Sequence, residues 1–420
     1  MRGGIRIGSI FGIPLYINSS WFLVLGFLAV FLSAAYTKLS PSFSLGYGAI
    51  MAMLFFLSIA LTKIAQALMS RARGVEINAI NIQFMGGATT VEREAKDAFS
   101  VFSIAISGPL VSLVLSAIGF VSAWLIAGDV IFASNPKTME ALPNSIGNIR
   151  TIWTMIALNF AQINLIFGVL SLIPALPFEG GHILKAAVWK ITGDRFAGIR
   201  WAARTGQIFG VFLIILGGLI SFSNWGGLFL ILLGWLLFGN AGGYLYLNNL
   251  QQALLDIDAE TAMTRDFRLV DADMSLREFA DKFLIMEAKD ANPIYIASSD
   301  GRDRGIISTE PIRHINSNEW VSQSLQSLVK PFDEIDTVDL KTKISTIVNL
   351  LEQKELRYLI VRSPVGSVAG VIDRGDVIKA LDSKLLWRIP TDYIKQIKAD
   401  GKFPSNFRLV EICEQLTEKN

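Results

Sequence analysis

The sequence predicts an α-helical polytopic membrane protein of about six spans, followed by a soluble α/β region. Of the 420 residues, 52% are hydrophobic and only 18% are charged, which is too apolar for an ordinary soluble enzyme. The excess is confined to residues 1–250, where long apolar runs follow one another. Residues 251–420 have the charge density of a soluble protein, so we divide the chain into a membrane part and a soluble part.

Six apolar runs are interpreted as transmembrane helices. They cover about 14–36, 47–70, 98–127, 152–173, 208–222 and 225–246. Ser33-Ala34-Ala35 loosely resembles a signal-peptide cleavage site, but the run before it is long enough to span, so we interpret it as the first transmembrane helix.

Basic residues predict the orientation of these spans. If six spans alternate, Arg2, Arg71, Arg73 and the basic residues of 185–200 fall on one side of the membrane. The loop 128–151 then falls on the opposite side and is poor in lysine and arginine. We therefore expect both termini and the soluble part in the cytoplasm, or in the stroma if the protein is plastid.

Three polar residues interrupt the second span. Thr62, Lys63 and Gln66 lie within the stretch Leu61–Leu68, which otherwise looks like a membrane helix. A charged residue at the centre of such a helix costs about 2.5–3.5 kcal/mol on insertion scales and suggests a functional site. Positions 62 and 66 share a helix face, with position 63 about 100° away. This is the spacing of an H-E-x-x-H zinc-protease helix, with different residue types.

A second polar position follows the fourth span. Pro174 and Pro177 cannot lie in an undisturbed helix, and Gly180-Gly181 permits close backbone approach. The pattern predicts a broken segment near the membrane surface that presents Glu179. A simple helix exit with a solvated glutamate is the alternative.

The region between spans two and three alternates between apolar and polar residues. Residues 75–91 predict a β-hairpin with its turn at Gly86-Gly87. A free edge of this hairpin could pair with an extended peptide. The alternative is a plain loop.

Several of these patterns, in this order, resemble the site-2 protease family of intramembrane zinc metalloproteases. The resemblance is to the branch that carries a C-terminal pair of CBS domains, and it covers nearly the whole chain. The matching stretches are Gly8–Pro14, Leu61–Leu68, Gly86-Gly87 with Glu92-Arg93-Glu94, Ser107–Leu110 and Leu172–Gly181.

The resemblance implies where the family chemistry would lie. In the family, two histidines and one aspartate bind zinc, and a glutamate is the general base. The ligand positions here are Thr62, Gln66 and Glu179, and the base position is Lys63. Threonine and glutamine are poor zinc ligands, and a lysine ammonium cannot take a proton from water. We therefore expect no bound zinc and no peptide hydrolysis.

Other departures concern the neighbours of these positions. Ser171 stands where the family usually has asparagine, and His182 stands where it usually has arginine. Glu179 and His182 could still ligate a metal, but two ligands fall short of the usual three. We hypothesise that Lys63 pairs with Glu179 in place of the zinc bridge. The alternative is that Lys63 extends to the nearby membrane surface.

The soluble region contains an internal repeat. One copy covers about 262–315 and the other about 329–381 within a region 251–385, and a charged helical tail 386–420 follows. The repeat resembles a tandem CBS pair, in which a hydroxyl and a carboxylate hold adenine nucleotides. The first copy keeps the hydroxyl, Ser308, and the second keeps only the carboxylate, Asp376. We favour a structural or dimerisation role, with nucleotide binding as the alternative.

The sequence therefore predicts a non-cleaving relative of the site-2 proteases. Its partners would be the lipid bilayer, transmembrane segments of other proteins, and a second copy through the CBS pair. We expect no nucleic acid partner, and the single Cys413 excludes a disulfide framework within the chain. Two alternatives stay open: a zinc metalloprotease with an altered site, and a nucleotide-responsive regulator.

Overall fold

The chain divides into two compact units, Met1–Asn248 and Asn249–Asn420. A computed structural model describes residues 4–18, 20–34, 41–75, 77–82, 89–91, 95–128, 149–222, 226–284, 294–309, 311–316, 319–404 and 407–417. The predicted turn at Gly86-Gly87, the stretch Glu92-Arg93-Glu94 and most of the loop 128–151 lie outside these residues.

The first unit contains long helices and a small sheet. Its strands are β1 (Gly4–Ile10), β2 (Ile13–Asn18), β3 (Ile77–Ile82) and β4 (Thr89–Val91). Its helices are α1 (Ser20–Ser33), α2 (Pro41–Ala72), α3 (Ala98–Ala127), α4 (Ile149–Ser171), α5 (Glu179–Thr192), α6 (Arg195–Ser221) and α7 (Gly226–Asp256). Within the described residues, α2, α3, α4, α6 and α7 are long and apolar enough to cross a membrane. The predicted helical membrane part is thereby confirmed.

The predicted first span, 14–36, is not one continuous helix. Residues 13–18 form strand β2, and α1 has only 14 residues. Such a helix is about 21 Å long, short of the roughly 30 Å of a hydrocarbon core. Ile13 and Ile17 lie on one face of β2 and are buried in a cluster with Ile59 and Ala60 of α2. The start of the apolar run therefore packs as a strand and not as a helix.

The predicted hairpin is part of a larger sheet. Strands β3 and β4 are antiparallel, but the strand order is β1-β2-β3-β4 and β2 pairs with β3 in parallel. Both edges of β3 are therefore paired, and the outer strands of the sheet are β1 and β4. The sheet packs on α2, where Ile80 joins Ile59 and Ala67 in one buried cluster.

Small residues allow close helix contacts in this unit. A Cβ atom on Gly210 of α6 would lie 2.8 Å from the carbonyl oxygen of Gly234 of α7. A Cβ atom on Gly48 of α2 would lie 2.1 Å from the carbonyl oxygen of Ala29 of α1. Packing through small residues is typical of membrane helices.

The second unit is α/β, as predicted. Its strands are β5 (Phe267–Asp271), β6 (Ile294–Ser299), β7 (Arg302–Ile307), β8 (Val329–Pro331), β9 (Thr337–Asp339), β10 (Tyr358–Arg362) and β11 (Val368–Asp373). Its α-helices are α8 (Ala259–Ala262), α9 (Leu276–Phe279), α10 (Ile344–Gln353), α11 (Arg374–Leu385), α12 (Thr391–Asp400) and α13 (Leu409–Thr417). Strands β5–β8 form one sheet and β9–β11 another.

Each predicted repeat of this unit has a buried cluster of its own, a further cluster contains residues of both, and the last helices pack on the second repeat. Val270, Leu276 and Tyr295 lie in the core of the first repeat. The segment predicted as a charged tail contains α12 and α13, and its apolar residues join the core of the second repeat. These residues are Ile394, Ile397, Leu409, Ile412, Cys413 and Leu416.

Candidate functional site

Three polar side chains meet between α2 and α5 in the membrane unit. The Lys63 Nζ atom lies 3.3 Å from the Glu179 Oε1 atom. Lys63 also donates a hydrogen bond to Gln66 Oε1 at 3.0 Å, and Gln66 Nε2 donates to Glu179 Oε1 at 3.2 Å. The Lys63 and Glu179 side chains are 16% and 23% exposed. We call these three residues the polar cluster.

Helix α2 supplies two members of the polar cluster. Lys63 and Gln66 are three residues apart, so their side chains are neighbours on the helix surface. Thr62, predicted to stand at a ligand position of the family, is 4% exposed, and its hydroxyl donates to the carbonyl oxygen of Ile59 at 2.7 Å. That hydroxyl bonds to its own helix and is not part of the cluster.

A bent segment between α4 and α5 positions Glu179 beside α2. Helix α4 ends at Ser171, residues 172–178 turn, and Glu179 is the first residue of α5. The Leu176 N–H donates to the carbonyl oxygen of Ala202 at 3.1 Å, and the Thr205 hydroxyl donates to the carbonyl oxygen of Pro174 at 2.6 Å. These two hydrogen bonds attach the bend to α6.

The two glycines after Glu179 are required by this turn. A Cβ atom on Gly180 would lie 2.2 Å from the Leu172 carbonyl oxygen, and one on Gly181 would lie 2.4 Å from the Leu176 nitrogen. Since backbone atoms cannot yield easily, a larger residue would displace the bend and move Glu179.

Helix α3 closes another side of the polar cluster. A Cβ atom on Gly108 would lie 2.5 Å from Gln66 Nε2, so glycine leaves room for the amide. The family resemblance in the sequence includes Ser107–Leu110, but it does not predict a contact between Gly108 and Gln66. The contributions of Thr205 and Ala202 were missed entirely, because a threonine or an alanine in an apolar helix carries no distinct signal.

Ser171 and His182 make contacts of other kinds. The Ser171 hydroxyl donates to the Gly168 carbonyl oxygen at 2.8 Å. The His182 ring meets the Tyr244 ring edge-on, with 6.5 Å between ring centroids. Neither side chain is one of the three that form the polar cluster.

The polar cluster does not fit a zinc ion. Zinc is held by thiolate, imidazole and carboxylate ligands, whereas the cluster offers one carboxylate, one amide and a positively charged ammonium. The ammonium and the amide already bond the carboxylate that a metal would need. Among the residues that the structure describes, no group of three or more His, Cys, Asp and Glu side chains could share a metal ion.

The nucleotide candidates lie in the second unit. Ser308 follows β7, and its backbone N–H donates to the Leu328 carbonyl oxygen at 3.2 Å. Asp376 lies in the first turn of α11 and is only 1% exposed. Its carboxylate is 2.6 Å from the Lys398 ammonium of α12.

The fold and the site together define the class of this protein. Apolar helices bring Lys63 and Gln66, predicted to lie in the H-E-x-x-H stretch, beside a bend that is followed by Glu179-Gly180-Gly181. The model of "Peptidase family M50" matches residues 49–217. The protein "Putative zinc metalloprotease sll0528" of Synechocystis sp. is 31% identical over 388 residues, covering 91% of this chain and 97% of its own length. The chain belongs to peptidase family M50, the site-2 protease family.

Two solved structures resemble parts of this chain. The site-2 protease from Methanocaldococcus jannaschii is 22% identical and covers 58% of this chain and 95% of its own, with a TM-score of 0.39. The CBS domain of the bacterial CNNM/CorC family Mg²⁺ transporter is 15% identical and covers 32% of this chain and 82% of its own, with a TM-score of 0.26.

Proposed function

We propose that this chain is a non-cleaving member of the site-2 protease family that binds transmembrane segments of other proteins. The observation that carries the proposal is the 3.3 Å contact between Lys63 Nζ and Glu179 Oε1. These residues occupy the general-base position and a ligand position of the family. An ion pair there replaces both the charge and the bridging role of a metal.

The chemistry of the polar cluster supports the loss of peptide hydrolysis. A general base must accept a proton from the attacking water, and an ammonium has no lone pair for that proton. Metal-assisted hydrolysis also needs an open coordination position on a bound ion. The ammonium at Lys63 would repel such an ion, and Gln66 offers only a weak ligand.

The membrane setting supports retention of the scaffold. A lysine within a membrane-length helix is costly unless it is paired, and removing one partner of a buried pair leaves an uncompensated charge. The Lys63–Glu179 pair therefore joins α2 to the bend before α5, as a metal bridge would. The surrounding lipid-facing helices remain available for other transmembrane segments, and the distribution of basic residues supports a cytoplasmic second unit.

Metal analysis tests this proposal. The full chain, purified in detergent without chelators, should contain far less than one zinc per chain, and it should not cleave a single-span membrane substrate. A variant with Thr62→His, Lys63→Glu, Gln66→His and Glu179→Asp serves as the positive control for metal loading. A zinc content near one per chain in the natural sequence, lost in Glu179→Ala together with cleavage, would establish the rival function of an active metalloprotease.

A further inference from the structure

The start of α11, in the second repeat, carries two carboxylates that bond each other's backbone: Asp373 is the N-cap residue and Asp376 lies in the first turn. The Asp376 N–H donates to Asp373 Oδ1 at 2.9 Å, and the Asp373 N–H donates to Asp376 Oδ2 at 3.2 Å. The Thr264 hydroxyl donates to Asp376 Oδ2 at 3.3 Å. Two carboxylates so close together, one of them fully buried, need a positive counter-charge.

Lys398 supplies that charge from the carboxy-terminal segment. Its ammonium lies 2.6 Å from Asp376 Oδ1 and 3.3 Å from Asp373 Oδ2. Lys398 is on α12, which begins beyond the end of both repeats. The turn therefore holds a cation that the chain itself provides.

The backbone of α11 is shaped to receive α12. A Cβ atom on Gly375 would lie 2.3 Å from Lys398 Cγ and 3.1 Å from the Ile394 carbonyl oxygen. Glycine is unfavourable within a helix, but here it lets the lysine stem and the α12 backbone rest on the first turn. Helix α12 thus covers Asp373 and Asp376 directly.

The two carboxylates are specific to the repeat that α12 covers. Counting from Gly305 and Gly370, the positions of Asp373 and Asp376 correspond to Ser308 and Pro311 in the first repeat. The acidic pair and its lysine therefore belong to one arrangement and are not a general feature of the repeat.

The attachment of α12 differs from that of α13. Helix α12 contributes Ile394 and Ile397 to the core, whereas α13 contributes the larger set Leu409, Ile412, Cys413 and Leu416. We propose that Lys398 is an internal ligand of the second repeat, and that α12 must detach before an external ligand can reach Asp376. Helix α13 remains in place as the anchor.

Paired lysine variants of the full chain in lipid nanodiscs test the proposal. Lys398→Met keeps the aliphatic stem on Gly375 and removes the charge, and Lys395→Met removes an exposed lysine from the same helix. Hydrogen exchange of α12 and of the first turn of α11 should rise by roughly tenfold in Lys398→Met and stay unchanged in Lys395→Met. Exchange of α13 should be unchanged in both variants. Equal exchange in the two variants, or a joint rise in α12 and α13, would overturn the proposal.

Ligand access is tested with AMP and ATP as probes, because carboxylates accept hydrogen bonds from ribose hydroxyls. Calorimetry of the natural full chain should show no binding that depends on Asp376. If the natural chain binds either nucleotide, Asp376→Asn abolishes that binding, and hydrogen exchange of α12 is unchanged by the bound nucleotide, then Asp376 is reached without detachment and the proposal is wrong.

Discussion

Gly108 has no side chain, and the space beside it is filled by the Gln66 amide of the polar cluster. Because an added Cβ atom would lie 2.5 Å from Gln66 Nε2, Gly108→Ala should push the amide away from Glu179. We expect a loss of about 1–3 kcal/mol in the free energy of unfolding, the usual cost of overpacking. Gly218→Ala in α6 is the control, since no atom lies within 4 Å of its added Cβ. Unfolding in detergent measures both, and equal stability of the two variants would contradict the contact.

The ionisation of Asp376 should make the stability of the second unit depend on pH. Burial and the neighbouring Asp373 carboxylate raise the pKa of Asp376 from 3.8 to about 6, against the opposing effect of Lys398. The folded chain holds this proton more tightly, so the contribution favours folding below about pH 4 and is lost as pH rises through about 6.

The Asp376→Asn variant isolates that contribution, because asparagine does not titrate. Between pH 4 and pH 7, the stability of the natural chain should fall by about 2 kcal/mol relative to that of the variant. Urea unfolding of the second unit within the full chain, at several pH values, measures the difference. A difference that is constant across this range would contradict the raised pKa.

At the scale of elements, the bend between α4 and α5 depends on its attachment to α6. Thr205→Val removes the hydroxyl that donates to the Pro174 carbonyl oxygen and should cost about 1 kcal/mol. Amide exchange of 172–178 should rise. Thr192→Val is the matched control, because its hydroxyl bonds within its own helix to Val188 and near its end to Asp194. No change of exchange in Thr205→Val would show that the bend is held by other contacts.

The first apolar run shows how an element can be misjudged. Hydropathy alone predicts one helix over 14–36, because Ile13, Leu15 and Ile17 are as apolar as the helix that follows. The pairing of β2 with both β1 and β3 shows that this segment is a strand. Such pairing depends on residues about 60 positions away in the sequence, which no local pattern contains.

At the scale of the whole molecule, the orientation of the helices is a prediction that cysteine labelling can check. Burial raises the pKa of Cys413 to about 12, so the natural chain should react poorly with maleimide. New cysteines at Ile191 and Val365 should be labelled from one side of sealed vesicles, and one at Ala127 from the other. Labelling of all three from the same side would contradict alternating spans. The natural chain is the control for background reaction.

Much of the molecule was predictable because its signals are local. The long apolar runs, the alternation in 77–82, and the helix spacing of Lys63 and Gln66 are readable without a structure. The bend docked through Thr205, the space left by Gly108, and the cover of Asp376 by Lys398 are not. Each depends on a contact between segments far apart in sequence, and the residues involved are individually ordinary.

The central claim is that a Lys63–Glu179 ion pair holds the place of the family metal. A double-mutant cycle with Lys63→Met and Glu179→Gln tests it most directly, with unfolding of the detergent-solubilised chain as the measurement. We predict a coupling free energy of about 1–3 kcal/mol between the two positions. A second cycle, combining Lys63→Met with Asp194→Asn, should be additive. If Lys63→Met and Glu179→Gln are also additive to within about 0.5 kcal/mol, the two charges do not stabilise each other and the claim is contradicted.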